Sequence, residues 1–145
     1  MNILVLGAYG LLGSYLCPFL KKKGHQVFKQ GSSINSELSF SAYSSPSDLV
    51  EAVKKNKPDI IINLIALTNV DKCESDPELA FLINVKTVEN ILASINNSNI
   101  HLIQISTDQV YSGQGIHKEE FATPINIYGI TKYCSELVAS KTKST

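Results

Sequence analysis

Asn2-Ile3-Leu4-Val5-Leu6-Gly7-Ala8-Tyr9-Gly10-Leu11-Leu12-Gly13 is the stretch on which the fold turns. Its apolar beginning reads as a buried strand, and its glycines follow the spacing G-x-x-G-x-x-G. Leu12, Leu16, Phe19 and Leu20 then recur at helical spacing until Lys21-Lys22-Lys23-Gly24 closes the element, with Pro18 expected to bend it. A strand that turns through glycines into a helix leaves backbone N–H groups at the positive end of the helix dipole. That is the setting in which a pyrophosphate is held. Gly7, Tyr9, Gly10, Leu11, Leu12 and Gly13 are therefore the candidate dinucleotide-binding residues.

Outward from this loop, strand and helix patterns alternate. Gln26 to Lys29 reads as a short strand, Ser32 to Ser47 as loop with a weak strand around Leu38 to Phe40, and Pro46-Ser47-Asp48-Leu49 as a helix start. Asp59-Ile60-Ile61-Ile62-Asn63-Leu64-Ile65-Ala66 has the unbroken apolarity of a central parallel strand covered on both faces. A long helix is predicted from Asp76-Pro77, with Phe81, Val85, Val88, Leu92 and Ile95 as its apolar stripe and Asn96-Asn97-Ser98-Asn99 as its end. Ile100 to Ile105 is the fifth predicted strand, expected at an exposed sheet edge where pairing invites a homo-oligomer. Gly113 and Gly115 mark a loop, and Tyr128 to Ser140 forms the last helix. This order implies an α/β, Rossmann-like, doubly wound parallel sheet of about five strands. Ligands of such sheets sit at the carboxyl ends of the strands, so the residues after Leu6, Ala66 and Ser106 are expected to share one crevice.

Two further groups of residues give that crevice chemistry. Tyr128 and Lys132 are four apart and share one face of a helix, and an ammonium beside a phenol stabilises its phenolate, tuning a group whose ordinary pKa is ~10. Thr107, in the strand-end Ile105-Ser106-Thr107-Asp108, offers a hydroxyl to a carbonyl oxygen. Tyr128, Lys132 and Thr107 are thus the candidate catalytic residues, and Tyr128 and Lys132 also count as cofactor-facing. An acidic residue some 20 positions after the glycines often binds the ribose of NAD. Here Lys29, Gln30, Gly31, Ser32 and Ser33 occupy that region, so NADPH is admitted alongside NADH and slightly favoured, with Lys29 as a candidate contact.

Composition removes several alternatives. The 145 residues suit one domain, 1–145, and the 13 basic residues balance the 13 acidic ones, so neither nucleic acid nor an anionic membrane is an expected partner. No apolar run approaches the ~20 residues that span a bilayer, and no basic leader precedes the strand at residue 2. A cytoplasmic location is expected. Cys17, Cys73 and Cys134 lack metal or disulfide spacing and read as reduced thiols filling space; no metal site is expected.

Together these residues resemble the extended short-chain dehydrogenase/reductases that act on nucleotide sugars, most closely the dTDP-4-dehydrorhamnose reductase group. Further carriers of the likeness are Lys57-Pro58-Asp59-Ile60-Ile61-Ile62-Asn63, Ala66-Leu67-Thr68-Asn69-Val70-Asp71-Lys72-Cys73-Glu74, Ile83-Asn84-Val85 and Pro124-Ile125-Asn126-Ile127-Tyr128. The resemblance implies hydride transfer from a nicotinamide cofactor to the 4-keto carbon of a deoxy-sugar nucleotide. It also implies Leu64, Ile65 and Ala66 beside the nicotinamide ribose, Thr68, Val70, Asp71 and Thr107 toward the substrate, and Asn84 at a position the family tends to keep. Leu64-Ile65 is bulkier than the family's usual alanines, and Gln109 replaces its usual aromatic. Family chains continue through further strands and a carboxyl-terminal substrate region, so this chain is expected to be the amino-terminal portion. A nucleotide-sugar epimerase or dehydratase relative and a non-catalytic dinucleotide-binding module are the competing readings.

Overall fold

The computed structural model describes residues 1–96 and 98–141. Five strands form one sheet: β1 (Asn2–Leu6), β2 (Gln26–Gly31), β3 (Leu38–Ser39), β4 (Ile60–Asn63) and β5 (His101–Gln104). Their order is β3-β2-β1-β4-β5 and every pairing is parallel. The direction of travel reverses between β1 and β4, which puts the switch point directly beyond Leu6 and Asn63.

Side-chain alternation along β1 divides the core in two. Leu4 and Leu6 pack with Leu49, Ala52 and Val53 of α2 (Pro46–Asn56) and with Val88 and Ile91 of α5 (Thr87–Ser94). Ile3 and Val5 face the opposite way, against Cys17 and the partly buried Leu16 and Leu20 of α1 (Leu11–Lys22). Helices on both faces give the α/β doubly wound arrangement that the alternation of patterns predicts.

Two sequence expectations change, and one helix has no counterpart among them. In α1 the buried face centres on Gly13 and Cys17, while Leu12 and Phe19 are half exposed, because the helix presses its smallest residues against the loop before it. The helix expected from Pro77 onward is broken into α4 (Pro77–Phe81), a π turn (Leu82–Lys86) and α5. A π turn adds a residue to the repeat and rotates what lies before it, so Ala80 and Asn84 are buried and Phe81 faces outward. Of the helix end expected at Asn96 to Asn99, Asn97 lies outside the described residues. Finally, α3 (Val70–Ser75) is helical although its six residues are too few to show periodicity; Asn69 caps it by accepting from the Lys72 N–H at 2.8 Å.

The β5 strand is the last of the sheet, and Ile103 and Ile105 are more than a third exposed. The last helix, α6 (Ile127–Ala139), is capped by Asn126, whose Oδ1 accepts from the Gly129 N–H at 2.7 Å, and by Glu74 of α3, which accepts from the Ile127 N–H at 2.7 Å.

Candidate functional site

At the end of β1 the chain reverses at Gly7, whose φ of +73° is strained for a residue with a side chain and whose face is closed by Ile65 and Leu64. Gly10 stands at the N-cap of α1 and makes no side-chain capping bond, so the first-turn amides are left to a ligand. One residue that sequence reading missed fixes this loop: Gln30, buried at the end of β2, accepts from the Gly7 N–H at 3.0 Å and donates to the Phe40 carbonyl. No sequence signal marked it, since Gln30 falls just past the predicted strand and its partners are distant in the chain.

Two adjoining cavities of about 430 and 410 Å³ open along the carboxyl ends of the strands and share Gly10, Leu64 and Ala66. The first runs past Gly7, Gly31, Ser32, Tyr43 and Ile65. The second brings Leu11, Leu12 and Thr68 to the same wall space as Ser106, Tyr128 and Lys132. The crevice is continuous from the end of β2 to α6, a shape for an extended two-ended ligand. Ser41 Oγ, on the first cavity, is buried and has no hydrogen-bond partner among the described residues. Glycine approach, uncapped amides and an orphaned hydroxyl all fit a dinucleotide.

The remaining candidates are placed as follows. Thr107 heads a 3-10 turn (Asp108–Val110); its Oγ1 accepts from the Gln109 N–H at 3.3 Å and donates to Asp108 Oδ1 at 3.2 Å, while its neighbour Ser106 lines the cavity. Val70 packs against the cluster of Cys73, Ala80 and Tyr128, and Asp71 lies exposed on α3. Tyr9 accepts from the Glu37 N–H at 2.8 Å through its hydroxyl. Lys29 lies over the Tyr9 ring, 5.2 Å from its centroid, and 3.9 Å from Glu37, in a separate cleft with Ser14 and Lys21. Among the described residues no three His, Cys, Asp or Glu side chains gather as a metal cluster, and no helix is long and apolar enough to cross a membrane.

Lys132 is the electrostatic centre. Only 3% exposed, it donates from Nζ to the Ile105 carbonyl, and burial pulls its pKa down to about 8 against the upward pull of the Glu136 carboxylate. Burial pushes the Cys17 and Cys73 thiols up from their ordinary pKa, in keeping with space-filling cysteines, while Cys134 is half-buried.

Two buried amides hold the walls. Asn90 donates to the carbonyls of Ala42 and Tyr43 at 2.9 and 3.1 Å, anchoring the loop along the first cavity. Asn84, turned inward by the π turn, accepts from the Leu67 N–H at 2.7 Å and donates to the Leu67 carbonyl at 3.3 Å and Thr131 Oγ1 at 2.9 Å. It ties the segment carrying Thr68 to the helix carrying Tyr128. Replacing it with leucine, of similar volume, strands these groups in the interior, and a loss of about 3 kcal/mol in denaturant unfolding is expected. An unchanged denaturation midpoint would contradict this tie.

A parallel sheet with a glycine loop after β1, and a tyrosine and lysine on the facing wall, defines an α/β domain of the extended short-chain dehydrogenase/reductase class. The chain belongs to the RmlD substrate binding domain family, which it matches over residues 1–145. It is 36% identical over 139 residues to the dTDP-4-dehydrorhamnose reductase of Salmonella typhimurium, covering 94% of this chain and 46% of that protein. A hypothetical dTDP-4-dehydrorhamnose reductase from Sulfolobus tokodaii superposes with a TM-score of 0.87 at 36% identity, over 99% of this chain and 54% of that one. The dTDP-4-dehydrorhamnose reductase from Bacillus anthracis, solved in complex with NADP, superposes with a TM-score of 0.83 at 28% identity, over 96% and 49%. The chain spans about half the length of the curated relatives it matches.

Proposed function

We propose that this chain supplies the cofactor-holding and proton-transferring part of a reductase of 4-keto-deoxy-sugar nucleotides. The observation that carries the reading is the sharing of one cavity by Tyr128, Lys132 and the glycine-loop residues Gly10, Leu11 and Leu12. The amides at the start of α1 would hold the pyrophosphate, and Leu64, Ile65 and Ala66 would face the nicotinamide ribose. When bound there, a reduced nicotinamide would supply the hydride that the carbonyl carbon takes up. Thr107 holds the carbonyl oxygen, and Tyr128 gives that oxygen its proton, so that ketone becomes alcohol. The Lys132 ammonium offsets the charge left on the phenol oxygen. Thr68, Val70 and Asp71 face the sugar nucleotide.

The cofactor in this reading is NADPH before NADH. Gly31, the last residue of β2, and Ser32 after it carry no carboxylate to repel a 2′-phosphate, and Lys29 contributes little because Glu37 lies beside it. A preference of roughly five-fold, about 1 kcal/mol, is expected. Fluorescence titration of NADPH and NADH tests this first. Adding a dTDP-4-keto-6-deoxy sugar and following loss of reduced nicotinamide absorbance tests the second half. Binding without oxidation favours the binding-module reading instead, and no binding of either dinucleotide defeats the proposal. The location in this reading is the cytoplasm, and homo-oligomers form through the outer side of β5.

A further inference from the structure

On α6, Tyr128, Lys132 and Glu136 follow one another at intervals of four and so form one row along the helix. The first two face the crevice, and Glu136 is half-buried one turn behind them. Two bonds join this row to the end of β5 on adjacent turns: Lys132 Nζ donates to the Ile105 carbonyl, and Ser106 Oγ donates to Glu136 Oε1. Ile105 and Ser106 are consecutive, and Thr107 follows them. We propose that Glu136 is a positioning residue, which clips the Ser106 hydroxyl to α6 and thereby fixes the Thr107 strand end and the Lys132 side chain relative to each other.

The charge of Glu136 gives the clip an electrostatic role as well. Among the described residues on the wall of this cavity, Tyr128 is the only titratable group besides Lys132; on its other side Glu136 shares a shallow cleft with His101 at the start of β5. Glu136 is the charged residue that acts on Lys132, and it raises the lysine's pKa against burial. A clip that merely packed the helix would function equally well as a glutamine.

The significance of the proposal rests on the reductase reading, but its test needs no cofactor. The Lys132 side chain in the 145-residue chain is followed by NMR through a pH titration, its signal assigned by its loss in Lys132→Met. In Glu136→Gln, which keeps an acceptor for Ser106, the Lys132 midpoint is expected to fall by roughly one pH unit. An unshifted midpoint overturns the electrostatic role of Glu136. Ser106→Ala tests the clip and decides alone should Glu136→Gln fail to fold: untethering the carboxylate changes its distance from Lys132 and is expected to move the midpoint, and titration as in the parent overturns the clip. A shifted Lys132 midpoint in a chain that binds neither NADPH nor NADH would defeat the reductase reading while leaving the role of Glu136 standing.

Discussion

Gly13→Ala is expected to lower the thermal midpoint by roughly 10 °C and to remove dinucleotide binding. A β-carbon at this position falls 2.5 Å from the Ala8 carbonyl oxygen, 2.6 Å from its carbon and 2.7 Å from its Cα. All three are backbone atoms, so no rotamer change relieves the overlap. Alanine is intrinsically better than glycine inside a helix by about 1 kcal/mol. Separating two backbones that touch costs more, about 3 kcal/mol or above, so the clash decides the sign. Relief requires α1 to move off the loop, and that carries the first-turn amides away from Gly7. Leu11→Ala is the control, since Leu11 is 84% exposed on the same turn and should leave the midpoint within a few degrees. A Gly13→Ala protein melting with the parent would refute the close approach.

Lys132→Met is expected to stabilise the ligand-free chain near pH 7. The lysine's pKa falls from 10.5 in the unfolded chain to about 8 in the folded one. Between those values the unfolded state binds more protons, so stability rises with pH across that window. Below pH 8 both states are protonated and the full penalty of burying the ammonium remains, about 3 kcal/mol at most. Methionine fills similar space without the charge. Ile105 keeps a donor in its absence, because Gln104 Nε2 also reaches that carbonyl at 3.0 Å. The variant's advantage should therefore be about 2 kcal/mol at neutral pH and should disappear as pH approaches 10.5. Parallel denaturation of parent and variant across this range checks it; an advantage independent of pH would assign the effect to packing instead.

The parts of the site legible in the sequence are those written as spacing. The glycine loop, the Tyr128–Lys132 pair and the apolar run Ile60–Asn63 each announce a local geometry, and the parallel order of the sheet brings them to one crevice. The parts that escaped reading depend on a partner distant in the chain. Gln30 matters because Gly7 and Phe40 meet it, and Glu136 because Ser106 does. The π turn escaped for a different reason. Phe81, Val85, Val88, Leu92 and Ile95 form a credible uninterrupted stripe, yet burying the Asn84 amide against Leu67 and Thr131 outweighed burying Phe81. Periodicity registers apolar residues and is silent on a polar group that will be fully partnered inside. The exposure of Leu11 and Leu12 belongs to the same lesson, since apolar residues on the crevice wall are indistinguishable in sequence from core.

The strand order also has a consequence for how the chain reaches its folded state. β1, the earliest strand in the chain, is the middle of the sheet, and one of its two neighbours is Ile60–Asn63, matched as Ile3↔Ile60. As the polypeptide lengthens during synthesis, β1 has β2 available after one helix but waits for α2 and β4 before its second side is closed. The glycine loop beside it therefore takes its final form late, because Ile65 and Leu64, which close over Gly7, arrive with β4. Sequence separation of this kind slows folding, and here the nascent segment that waits longest is the one that forms the floor of the site.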